Sequence, residues 1–319
     1  MFKGIKQFII NYLNYIIMQD LYLSGAVGVT VLVEKDNLLN NLKKKETALY
    51  HDVHTDNIYC KNSVNHIKVA EWLEEKSKDN VIKLEEIDGQ KSGIKLTDLW
   101  TGAEHTRELK KLAQKNIPNL DLVDIRPFLI PWSWELMKTD KSKFGKIIFS
   151  EYLNLLKQFF NKDNSSKSYN LFVKNIKFIN KDTENKCIEH LNDLKDIFNI
   201  FLVKNKHLLK KSLKEIYKLN INILYEINNI LSAIMEWFTI LKTVNTKLNS
   251  IIHVGLAHST RIKKLLIKYY NYSIKYEDGL TNLNQFMIKT DKKINACVLL
   301  PKNISEIFSS TNKFGIHKD

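Results

Sequence analysis

Between Gly145 and Gly255 this 319-residue chain contains neither glycine nor proline. A stretch without them lacks the residues that most readily make tight turns and break helices. Apolar residues recur there at helical spacing, in Phe149–Phe160 and again in Asn205–Thr246, with polar breaks at Lys162–Ser168 and Asn180–Asn185. The middle of the chain therefore reads as helices packed on one another. The ten glycines and four prolines of the whole sequence also argue against an all-β sandwich with its many turns.

Outside that block, short apolar runs alternate with helical segments. Strands are expected at Thr47–His54, Val81–Ile87, Leu120–Ile125, Ile251–Val254 and Ile294–Leu300. Helices are expected at His66–Lys76, Thr106–Gln114 and Ser259–Tyr270, the last with Ile262, Leu265, Leu266 and Tyr269 on its apolar face. The pattern implies an α/β fold, a mostly parallel mixed sheet flanked by helices and carrying a large all-helical insertion. The expected divisions are an N-terminal apolar helix and linker (1–45), a first α/β half (46–135), the insertion (136–248) and a second half completing the sheet (249–319). At the N-terminus, Ile5–Leu21 reads as a buried helix, followed by the apolar run Val27–Val33. Asn11, Asn14, Gln19 and Asp20 interrupt what would otherwise approach a membrane span. Residues 8–33 remain a candidate for peripheral membrane contact, and no secretory cleavage signal is visible.

The net charge of +14 would draw the chain toward nucleic acid or an anionic membrane. Its lysines are spread along the sequence among acidic residues, without a nucleic-acid-binding signature, which favours a solvated basic surface. Cys60, Cys187 and Cys297 are odd in number and far apart, so no disulfide framework or zinc knuckle is expected and a reducing compartment is favoured.

Of 49 basic residues only Arg107, Arg126 and Arg261 are arginine, each near a histidine or aspartate. Arginine offers a planar fork of donors that lysine lacks. In open α/β sheets, sites form at the carboxyl ends of strands. The expected strands end in Asp52-Val53-His54, in Glu85-Glu86, in Asp124-Ile125-Arg126, and in Val254-Gly255, the last leading to His258 at a helix start. Asp52 and His54 share a face with His51 opposite, and Asp124 shares a face with Arg126. His54, Glu85, Arg126 and His258 are the candidate catalytic residues. Asp52, His54, Glu85 and His258 could hold a divalent metal with an open position for water. Without metal, a histidine or glutamate would act as general base and Arg126 would stabilise an oxyanion. Each residue alone also has a plain structural reading, Asp124 with Arg126 as an ion pair and Glu85-Glu86 as a solvated strand end. His51, Glu86, His105, Asp124 and Gly255 are candidate supporting residues, while Arg107 and Arg261 read as neighbours.

The late motif Val254-Gly255-Leu256-Ala257-His258, the strand-end Leu84-Glu85 and Asp124-Ile125-Arg126 together resemble the TraB/Tiki and erythromycin-esterase-like superfamily. The resemblance spans residues 46–131 and 250–300. In the early motif, His51-Asp52-Val53-His54, His51 stands where that family has glycine. What the resemblance implies is a hydrolase of peptides or esters, with a divalent metal (Mn, Co or Zn) or none. The Lys/Asn/Ile-rich composition suggests an AT-rich source such as a large DNA virus, and hence a cytoplasmic or virion-associated protein. The competing expectation is a catalytically inactive viral structural or binding protein with a basic surface.

Overall fold

A computed structural model describes residues 21–35, 45–53, 58–60, 66–88, 104–130, 133–138, 141–287 and 293–300. Its strands are β1 (Leu21–Ser24), β2 (Gly28–Glu34), β3 (Glu46–Asp52), β4 (Ile58–Tyr59), β5 (His66–Lys68), β6 (Val81–Leu84), β7 (Leu120–Leu122), β8 (Ser250–Gly255), β9 (Tyr272–Gly279), β10 (Ile294–Asn295) and β11 (Cys297–Leu300). The described helices of eight or more residues are α1 (Val69–Lys76), α2 (Glu104–Gln114), α3 (Lys181–Lys204), α4 (Leu213–Asn220), α5 (Asn222–Val244) and α6 (Leu256–Tyr269).

The fold is mixed α/β, as the alternation of elements implies. Its main sheet has the order β7-β6-β8-β3-β2-β9. The four strands β7, β6, β8 and β3 run parallel, while β2 is antiparallel to both β3 and β9. Every residue of β3 and of β8 is buried, as expected for central parallel strands covered on both faces. On one face, Val29, Val31, Ala48, Tyr50, Ile82 and Ile251 pack with Trp72 and Leu73 of α1 and Leu109 and Leu112 of α2. On the other, Leu32, Leu49, Ile252 and Val254 join Ile262 and Leu266 of α6 in one core with α3, α4 and α5. The Gly/Pro-free segment is therefore mainly helical as far as Val244, continuous with the sheet's own core, and ends in β8.

Several expectations need correction. Ile294–Leu300 does not complete the main sheet: β11 pairs antiparallel with β1 in a three-stranded sheet with β5, and β10 pairs with β4. An edge of the main sheet is taken by β9, which was not among the expected strands. Alternation along β9 is mixed and half-exposed, the signature of an edge strand, which a search for apolar runs overlooks. The β2–β9 pairing also needs Gly28 and Gly279 opposite each other: a Cβ on Gly28 would collide with the Leu280 carbonyl, and Gly279 has φ +73°. His66–Lys68 is strand rather than the start of α1, and β7 ends at Leu122 instead of Ile125.

Of the candidate membrane segment, Leu21–Ser24 and Gly28–Glu34 are β1 and β2, and β2 is an interior strand of the main sheet. Residues 8–20 of that segment, which include most of the expected N-terminal helix, and His54 lie outside the described residues. Among the described residues, no helix is long and apolar enough to cross a membrane. The cysteine expectation is overturned: Cys60 and Cys297 form a disulfide, leaving Cys187 as a buried free thiol. Their separation of 237 residues hides the pairing in sequence. The β4–β10 ladder brings them together, with Ala296 N–H donating to the Tyr59 carbonyl at 2.8 Å.

Candidate functional site

At the carboxyl end of the sheet the backbone ladder continues past β6 and β7. Glu85 N–H donates to the His253 carbonyl at 3.1 Å, Val123 N–H to the Leu84 carbonyl at 2.9 Å, and Asp124 N–H to the Glu86 carbonyl at 3.2 Å. These bonds set Glu85 and Asp124 side by side. Next to them β8 passes directly into α6 at Gly255, which has no side chain to cap the helix. Glu85 Oε2 instead accepts the Gly255 N–H at 2.8 Å, a carboxylate placed where the positive end of the helix dipole favours it.

Arg126 begins a 3-10 turn, with Pro127 holding the chain at its first positions. Its guanidinium is the hub of the site. Nε donates to Asp124 Oδ1 at 2.7 Å, and one terminal nitrogen donates to Asp124 Oδ2 and to Glu85 Oε1, both at 2.9 Å. The other terminal nitrogen lies 3.5 Å from His258 Nε2. Burial works against the charge on Arg126, but Asp124 and Glu85 outweigh it and raise its pKa. Burial pushes the Asp124 carboxyl up, and the charge and hydrogen bonds of Arg126 more than offset it, holding the group below the ordinary carboxylate value.

His258 sits in the first turn of α6. Its Nε2 is 3.3 Å from Glu85 Oε1, and its Nδ1 is 2.7 Å from Oε1 of Glu236. Glu236 belongs to α5, in the helical insertion, and only 1% of it is exposed. Arg261, one turn beyond His258, donates through Nε to the same carboxylate oxygen at 2.7 Å. The structure thus brings together three of the candidate catalytic residues, Glu85, Arg126 and His258, and adds Asp124, Glu236 and Arg261.

Glu236 lies in the middle of a helix, where a pattern of strand ends does not point. A signal was present: it is a lone carboxylate in the apolar run Ile234-Met235-Glu236-Trp237-Phe238, and a buried charge requires a partner. Arg261, expected as a neighbour, is joined to the cluster through its bond to Glu236. Arg107 is exposed on α2. The His105 side chain lies outside the description.

Asp52 is buried opposite Gly255 in the β3–β8 register, and the pleat sends its side chain to the sheet face away from His51. Glu86 acts electrostatically on Lys110 of α2. His51 is fully buried between Thr30 and Ser259. Of the expected metal set, His54 lies outside the described residues, and Glu85 as it is bonded here does not suit a dication. Both Glu85 oxygens are engaged by N–H donors, and the Arg126 cation already occupies the space between Glu85 and Asp124. Among the described residues, no three His, Cys, Asp or Glu side chains are grouped as metal ligands. A cavity of about 530 Å³ opens beside β7, lined by Ile117, Leu122, Phe128, Phe172, Phe238 and, from the cluster, only Asp124.

No protein-family model, curated protein or solved structure matches this chain.

Proposed function

We propose that this protein is a hydrolase of peptide or ester bonds, with His258 as general base and acid. The observation that carries the reading is the placement of one imidazole between two carboxylates, with an arginine beside its reacting nitrogen, at the carboxyl ends of parallel strands. With the Nδ1 proton donated to Glu236, Nε2 presents a lone pair that can take a proton from an attacking water. The imidazolium so formed lies between Glu236 and Glu85, and both stabilise it. The terminal nitrogen of Arg126 nearest His258 is the donor available to an oxyanion, since the other two nitrogens serve Asp124 and Glu85. The resemblance to the TraB/Tiki and erythromycin-esterase-like superfamily supports the same reaction class. Because the donors around Glu85 do not suit a dication, the reading is metal-free.

Purified protein should turn over members of a panel of nitrophenyl esters and fluorogenic peptides. Glu85→Gln, Glu236→Gln and His258→Gln should each reduce that turnover, without added Mn, Co or Zn. Turnover unchanged in His258→Gln would sink the reading, and a strict requirement for one of those metals would sink its metal-free form. A second reading draws on the saturation of the cluster by its own ion pairs: a non-enzymatic protein that binds anionic partners through its basic surface. Nucleic-acid affinity falling steeply with salt, in a chain without turnover, would establish it instead.

A further inference from the structure

His51 stands outside the cluster around His258, yet it is tied to it. Thr30 on β2 donates its one hydroxyl proton to Glu277 Oε1 on β9 at 2.9 Å. Toward His51 Nε2, also 2.9 Å away, the Thr30 oxygen can then only accept, so Nε2 carries the ring proton. That leaves a lone pair on His51 Nδ1, and the Ser259 hydroxyl lies 2.6 Å from it. Ser259 is also 3.1 Å from the Leu256 carbonyl. A hydroxyl has one proton, and the buried Nδ1 lone pair, at the shorter distance, can be met only by a donor, whereas that carbonyl already accepts from Thr260 at 2.7 Å. The Ser259 proton therefore goes to His51.

The far end of the chain returns to the same helix. Lys263, one turn after Ser259 on α6, donates to Glu277 Oε1 at 2.7 Å. The circuit Glu277, Thr30, His51, Ser259 and Lys263 thus crosses β9, β2 and β3 and closes on α6. Thr30, His51 and Ser259 are all 0% exposed. Burial, with Lys263 and His253 adding to it, lowers the His51 pKa to about 3, so the ring stays neutral.

We propose that His51 is a positioning residue for His258: through Ser259 it fixes the rotation and depth of the first turn of α6. Neighbouring helical residues point about 100° apart, so a Ser259 pinned to the sheet face directs His258 toward Glu236 and Glu85. The proposal rests on the role given to His258 above.

The test uses the full chain. Long-range proton–nitrogen NMR of the histidine rings at neutral pH should show His51 with its proton on Nε2. In Ser259→Ala, the ring nitrogens of His258 should shift while those of exposed His207 stay in place. Turnover should lose about tenfold in kcat with KM nearly unchanged, as when an orienting partner is removed. Ser259→Cys, keeping a weaker donor, should be intermediate. A His51 proton found on Nδ1 overturns the proposal without any variant. So does a folded Ser259→Ala whose His258 resonances match the wild type. If the wild type turns over no substrate, the hydrolase reading fails, and the ring spectra still decide the positioning role.

Discussion

Glu236 Oε1 lies 2.7 Å from His258 Nδ1, which joins the middle of the inserted helical segment to the first turn of the helix after β8. A buried carboxylate on Nδ1 fixes which nitrogen of the ring is free to react. Glu236→Gln keeps a hydrogen-bond acceptor but loses the charge that would stabilise an imidazolium in the proposed mechanism. Turnover should fall by roughly 10- to 100-fold, mainly in kcat, in steady-state kinetics on the best ester or peptide substrate. An unchanged kcat would remove Glu236 from the mechanism.

Arg126→Lys should be as damaging as a drastic substitution. A single ammonium cannot bridge both oxygens of Asp124 and still reach Glu85, so a buried carboxylate loses partners. The expected cost is roughly 3 kcal/mol, read from urea denaturation. The pH dependence has a definite sign. The folded-state pKa of Asp124 lies below its reference value of 3.8, so the stability it contributes is present above that value and is lost as pH falls below it. Asp124→Asn should flatten that acid limb, and an identical limb in the variant would count against the ion pair as its source.

His51 predicts a second acid-sensitive window, at higher pH. Its folded pKa is lowered from 6.5 to about 3, so between those values the unfolded chain binds a proton that the folded chain does not. Stability from this group therefore declines as pH falls from 6.5 toward 3, by an amount on the order of a few kcal/mol. Melting temperatures of the wild type and His51→Gln, compared from pH 7 to pH 4, should diverge in slope, the variant being flatter. Parallel curves would contradict the assignment.

The alternation of short apolar runs with helices made the α/β class legible, and the absence of Gly and Pro made the helical middle legible. Glu85, Arg126 and His258 were legible because strand ends expose their polar residues in order along the chain. Glu236 and the Cys60–Cys297 pair were not, since both depend on contacts between segments whose spacing carries no motif. His51 was legible as a residue of interest but not as a buried one: a histidine beside Asp52 in sequence gives no sign of Ser259, 208 residues away. β9 was missed because its half-exposed pattern lacks an apolar run.

Thiol counting checks the covalent link. In denaturant without reductant, one thiol per chain should react, Cys187, and three should react after reduction. Because the bridge closes a loop of more than 200 residues, Cys60→Ser should lower stability by about 3–5 kcal/mol in oxidised protein, on the chain-entropy account. Three reactive thiols without reductant would show the bond to be absent.

The position of β2 has a consequence for how the chain is made. It lies between β3, which follows it closely, and β9, whose Glu277 is 247 residues beyond Thr30. During synthesis one edge of β2 can be covered early, but the other waits until Tyr272–Gly279 has left the ribosome. The insertion, with Glu236, and α6 must emerge before that edge is filled. For most of its translation the nascent protein carries an open strand edge of the kind that pairs with other chains. Such distant pairing makes final folding a late and slow event, so truncations ending before β9 should accumulate as aggregates rather than as smaller folded proteins.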